Sequence, residues 1–156
     1  MTDALLLSDP RFFQHRASGY HPERPERLEA ARAAIERART GAGLSFAPVE
    51  PRPVRDEEVT RVHDAHFVKW LRTLSGQQGA IDADTFVGPE SVATAELAAG
   101  GTVALVDALL DGPVKRGIAL VRPPGHHARP GHAMGFCLLN NVAIAAAHAR
   151  ARGLER

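Results

Sequence analysis

Apolar residues fall along the chain in two patterns, short continuous runs and longer stretches with helical spacing. Ala4 to Ser8 is an apolar run closed by Asp9-Pro10, which predicts a buried strand followed by a loop. Leu28, Ala31, Ile35 and Ala38 then recur on one helical face, with Arg27, Glu29, Arg32, Glu36 and Arg37 between them. That spacing predicts an amphipathic helix. Pro25 suits its start, where a missing N–H has no partner to lose, and Gly41-Ala42-Gly43 ends it. Phe46 to Val49 reads as a second strand kept short by Pro48, Pro51 and Pro53. Asp56 is the expected N-cap of the next helical stretch, in which Val59, Val62, Phe67, Trp70 and Leu74 predict one or two short helices around Asp64.

Gln77 to Pro89 reads as a loop, and a long helix is predicted from about Glu90 to Leu110. Val92, Ala95, Ala99, Val103, Val106 and Leu110 form its stripe, widened by Leu97, Leu105 and Leu109. Gly100-Gly101 sits inside it, where each glycine costs about 1 kcal/mol relative to alanine. Close approach of a neighbouring element explains why they stand there. Gly117 to Val121 is a further buried strand, Arg122 to Gly135 a loop, and Asn140 or Asn141 caps a last, alanine-rich helix ending at Gly153. Helices between short apolar strands predict an α/β fold with a mostly parallel sheet. Only three strands are visible, and the chain stops where an alternating pattern would start another. Residues 1–156 are therefore expected to be the N-terminal portion of one larger domain.

Composition narrows the class. Lys plus Arg number 19 and Asp plus Glu 18, a balance that argues for neither nucleic acid nor membrane as a partner. No apolar run is expected to cross a membrane, and the first residues do not form a signal peptide. The single cysteine, Cys137, excludes an internal disulfide, and a soluble cytoplasmic location is expected.

The chemistry is concentrated between Arg122 and Asn141, just after a predicted strand, where open α/β sheets place their ligands. His126 and His127 are adjacent in a loop bent by Pro123, Pro124 and Gly125, so both rings can face one cleft. Two neighbouring imidazoles disfavour double protonation, which leaves one as a usable general base beside an electrostatic partner. Other candidates have plainer readings. Cys137 lacks a group to lower its thiol and reads as core packing, and the His63/His66 pair reads as structural. His132 reads as part of a variable loop, His148 as solvated, and Asn140 and Asn141 as cap and brace.

Arg122-Pro123-Pro124-Gly125-His126-His127-Ala128, then Gly135-Phe136-Cys137, then Asn140-Asn141-Val142-Ala143-Ile144 resemble the tandem-histidine signature of the histone deacetylase and acetylpolyamine amidohydrolase superfamily. His21-Pro22-Glu23-Arg24-Pro25-Glu26-Arg27-Leu28, Val62-His63 and Asp84-Thr85-Phe86 match in order upstream, nearest to the bacterial and class II branch. The resemblance implies an arginase/deacetylase-like three-layer fold and a zinc-dependent hydrolase of acetyl-lysine, acetylpolyamine or a similar linear amide. It implies His127 as general base, His126 as its electrostatic partner, Phe136 and Gly135 as channel lining, and Asp84 as a rim acceptor for the substrate. Arg122 and Tyr20 are weaker candidates for cavity or rim roles.

The same resemblance implies Zn2+ held by an Asp-x-His pair and a second Asp that lie beyond Arg156, with a tyrosine and histidine-orienting carboxylates also later. None of the 156 residues is accordingly assigned to metal, and this stretch alone is expected to be inactive and to expose apolar surface. Either the remaining portion or a homo-oligomeric partner would cover it. The alternative is a truncated, non-catalytic binding or assembly module.

Overall fold

The protein is described by a computed structural model covering residues 1–155. Ala4–Ser8 forms β1, Pro25–Ala42 α1, Phe46–Val49 β2, Asp56–Val59 α2 and Ala65–Thr73 α3. Gly79–Ala80 and Phe86–Val87 form β3 and β4, followed by α4 at Ser91–Asp111, β5 at Gly117–Leu120 and α5 at Asn141–Ala151. The main sheet has the order β2-β1-β5, and both pairings are parallel, with Leu7 opposite Val49 on one side and Ala119 on the other. A parallel pair needs a long crossover, and α1 supplies it between β1 and β2. The expected α/β fold with a parallel sheet and flanking helices is thus observed. β5 bonds to β1 alone, so its outer edge has no strand partner among the described residues.

Helix α4 organises the interior. Leu97, Ala98 and Leu105 pack with Leu5 and Leu7 of β1, Phe12 and Leu28 in one apolar cluster. Val92, Ala95, Ala99 and Val103 belong to a second, with Phe67, Val68 and Leu71 of α3 and Leu138, Leu139 and Ile144 at α5. The two glycines permit this double contact. A Cβ on Gly100 would overlap the carbonyl oxygen of Arg52 and the backbone of Pro53 and Val54, and one on Gly101 would lie 3.0 Å from a methyl of Leu7. Val54 N–H donates to Glu96 O at 2.9 Å across the same contact.

Four expectations need correction. α4 is long and apolar enough by length and composition to cross a membrane, because alanine and valine raise its mean hydropathy to 1.4. However, 56% of that window is buried in the fold, the environment of a core helix. The N-cap of α2 is Arg55, with Asp56 one position inside. The carboxylate of Glu58 turns back to accept from Arg55 N–H at 2.8 Å, a role the acidic run Asp56-Glu57-Glu58 left undivided. The segment 77–89 contains the small antiparallel β3–β4 hairpin, paired over two residues on each strand and so too short to leave a period in the sequence. His148 is buried, not solvated, and its Nε2 lies 2.7 Å from Asp107 Oδ1 on α4. The shared α4–α5 packing, invisible to a single-helix pattern, accounts for that.

Because the obstacle at Gly100 is backbone, Gly100→Ala is expected to destabilise the protein by about 2 kcal/mol or more. Gly41 in α1 meets nothing within 4 Å, so Gly41→Ala should be neutral or stabilising by about 0.5–1 kcal/mol. Urea melts of both variants check the opposite signs.

Candidate active site

The loop leaving β5 is anchored by its first side chain. Arg122 is buried, and its guanidinium grips Glu23 in a two-pronged pair, Nε to Oε1 at 2.6 Å and Nη2 to Oε2 at 2.7 Å. Two further N–H groups donate to Phe12 O at 3.1 Å and His15 O at 2.8 Å. Arg122 is therefore a strut and not the rim or cavity residue the sequence reading entertained. All three of its nitrogens bond to the segment that precedes α1.

His15 lies inside the same knot. Its Nδ1 is 2.7 Å from Ser91 Oγ, which accepts from Gly88 N–H, and its ring stacks on Phe86 at 4.3 Å. Nε2 stands 3.6 Å from Glu23 Oε2 without a hydrogen bond. Burial, with the nearby Arg122 and His21, lowers His15 from 6.5 to about 3. The ring is neutral, so that approach is not an ion pair, and Arg122 alone balances the carboxylate.

After Arg122 come a cis bond to Pro123, then Pro124 and Gly125. A Cβ on Gly125 would lie 2.5 Å from Asn141 N, and Val142 N–H donates to Gly125 O at 3.0 Å, so this corner is seated on the first turn of α5. His126 and His127 follow, both exposed, with ring centroids 4.1 Å apart and planes tilted by 48°. His126 N–H points at Cys137 Sγ at 3.4 Å. Cys137 is buried, as its packing role requires.

The wall opposite is a two-residue hairpin. Met134 and Cys137 exchange backbone bonds at 3.1 and 3.0 Å around Gly135 and Phe136, with φ of 59° and 68°. Two positive φ values in succession are the signature of a type I′ turn. Gly135 has a second reason to be glycine, since its Cβ would lie 2.7 Å from Cβ of His127. Phe136 has no such licence, and holding it there costs of order 1–3 kcal/mol. The turn is fixed from below by Phe136 N–H donating to Thr85 Oγ1 at 3.2 Å, whose hydroxyl donates to Asp84 Oδ1 at 3.0 Å.

His126, His127, Gly135, Phe136 and Asp84 consequently line one cleft of about 300 Å³, shared with Arg27 and Pro124. All five residues singled out in the sequence are brought together. Tyr20 is 85% exposed and borders a neighbouring cleft that reaches Asp84. The remaining candidates stay outside. His132 is exposed in the tight turn it forms with Arg129, and His66 is exposed on α3. His63 is buried, accepting Asn140 N–H at Nε2 (2.9 Å) and facing Pro130 O with Nδ1 (3.3 Å). Burial keeps it below the usual histidine range. Asn140 caps α5 by accepting Ala143 N–H and also donates to Ala128 O at 2.9 Å. Among the described residues no three His, Cys, Asp or Glu side chains converge on a point that could hold a metal ion.

The histone deacetylase domain family matches residues 21–156. This chain belongs to that family. A histone deacetylase-like amidohydrolase of Pseudomonas aeruginosa is 37% identical over 98% of the chain, and histone deacetylase 15 of Arabidopsis thaliana is 42% identical over 87%. A human polyamine deacetylase is 44% identical over 86%. The crystal structure of the HDA15 HD domain superimposes with a TM-score of 0.87 at 38% identity, covering 98% of this chain and 45% of that one. The fold is therefore the deacetylase type, in its N-terminal part. The chain spans 40%, 25% and 21% of the lengths of those three relatives.

Sequence reasoning missed His21 and Thr85, which hold the rim, although both lie in segments whose family resemblance it registered. A neutral His15 makes stability depend on pH with a definite sign. The unfolded chain takes up this proton near 6.5 and the folded one only near 3, so stability is full above neutrality and lost as pH falls through that window. Each pH unit within it removes about 1.4 kcal/mol, with His63 adding in the same direction. Thermal melts from about pH 7 to about pH 4 should fall steeply, and His15→Gln should flatten the slope.

Proposed function

We propose that the protein containing this chain is a zinc-dependent hydrolase that removes acetyl or other small acyl groups from a linear amine. Acetyl-lysine and acetylated polyamines are its substrate class. The observation that carries the reading is the convergence of the histidine pair, the Phe136 wall and the Asp84 carboxylate on one cleft. A flat aromatic ring beside a glycine backbone suits an extended alkyl chain, and a carboxylate at the mouth suits the polar end of that chain. The relatives named as deacetylases and amidohydrolases support the same chemistry.

Zinc is not fitted by the residues described, which offer no ligand cluster, so the proposal assigns its ligands to the remainder of the protein. The steps argued from this chain concern protons and shape. His127 takes the proton of the attacking water as the C–O bond forms and gives it to the amine nitrogen as the C–N bond breaks. His126, with its ring 4.1 Å away, is the electrostatic partner of that base. Phe136 excludes water from the channel.

The test uses the full-length protein with an acetyl-lysine amide and an acetylated polyamine. His127→Ala is expected to lower kcat at least about 10²-fold while zinc content by elemental analysis stays unchanged. Loss of zinc in that variant would make His127 a ligand. Absence of turnover by wild-type protein with both substrates would favour a non-catalytic binding module.

A further inference from the structure

His21 joins Glu23, Asp84 and the rings of Phe86 and Phe136. Its Nδ1 accepts Glu23 N–H at 3.0 Å, which ties it to the knot around Arg122. Its Nε2 faces Asp84 O at 3.1 Å. The ring meets Phe86 edge-on at 4.7 Å and Phe136 at 4.9 Å, interplanar angles 66° and 79°. Asp84 and Phe136 come from separate segments, and among the described residues the Thr85 hydroxyl is the other hydrogen-bonded link between them. Phe136 also sits in a backbone conformation it does not favour, so outside contacts must fix where its ring points.

We propose that His21 is a positioning residue that sets the distance between the Asp84 carboxylate and the Phe136 ring, and thereby the affinity for substrates long enough to reach the rim. It touches neither water nor acyl group and acts through the two residues it holds. The proposal rests on the deacetylase reading for its substrates. It predicts a split between binding and chemistry, because the histidine pair is held separately, by Gly135, Cys137 and the α5 turn.

The test compares His21→Ala, His21→Phe and His21→Gln in the full-length protein. A long acetylpolyamine is set against a short acetyl-amide that ends inside the channel. For the long substrate, His21→Ala should raise KM about tenfold with kcat within about twofold, and the short substrate, which meets Phe136 but not Asp84, should show a clearly smaller rise. His21→Gln, whose amide N–H reaches the Nε2 position, should recover most of the loss. His21→Phe keeps the ring contacts without the hydrogen bonds and should recover less.

A fall in kcat equal to that in kcat/KM, an equal effect on the short substrate, or a glutamine no better than alanine would overturn the proposal. Backbone hydrogen exchange across residues 82–86 decides it independently of turnover. His21→Ala should accelerate exchange there and leave residues 126–127 unchanged. If wild-type protein hydrolyses neither amide, the catalytic reading falls, and unaltered exchange at 82–86 would sink the role of His21 as well.

Discussion

The buried pair between Glu23 and Arg122 is the contact on which the rest of the molecule depends. It joins residues 99 positions apart with both side chains almost fully removed from water. Burying two charges is expensive, and the geometry compensates with two short parallel hydrogen bonds and two further bonds to backbone carbonyls. No apolar substitute would do the same job. A pair of leucines would fill the space, but they would not orient the segment before α1 against the loop after β5. The loop that bears the histidine pair is placed by that orientation, since everything from Pro123 to Asn141 departs from the arginine. His15 and Ser91 close the knot on its other side, and Phe86 carries it to the rim.

From that anchor the cleft is assembled by backbone contacts more than by side chains. Gly125 rests on the main chain of Asn141, and Gly135 lies against the Cβ of His127. The histidine pair is thus held between two glycine corners while its rings stay open to the cleft. The polar rim is looser, joined by one hydroxyl and one imidazole. The inner end of the cleft is thus fixed by main chain, and its mouth by side chains.

Much of the fold was legible because its elements are strongly periodic. The β1 run, the α1 stripe and the α4 stripe all fell where hydrophobic spacing placed them, and the doubled glycine announced a close crossing. The cleft residues were legible through the signature around His126 and His127. What stayed hidden has a common physical character. The β3–β4 hairpin is too short to show a period, and the burial of His148 depends on Asp107, 41 residues away. Arg122 and Glu23 look like surface charges until the fold brings them together. Phe136 at positive φ runs against local preference, where Asn or Gly would be expected, so no local rule would have found the turn.

The two glycine corners also bear on how new specificities could arise on this scaffold. At Gly135 the obstacle is the histidine stem, and at Gly125 it includes the main chain of α5. Neither position can accept a larger residue by repacking neighbours, so the inner cleft is closed to gradual redesign. Residues at the mouth, Tyr20 and Asp84 among them, are exposed and carry no such constraint. Substitution at the mouth is therefore cheap on this framework, while the inner cleft can change only through residues outside this loop. A library meant to diversify substrate choice would be spent well on the outer rim and wasted on the corners.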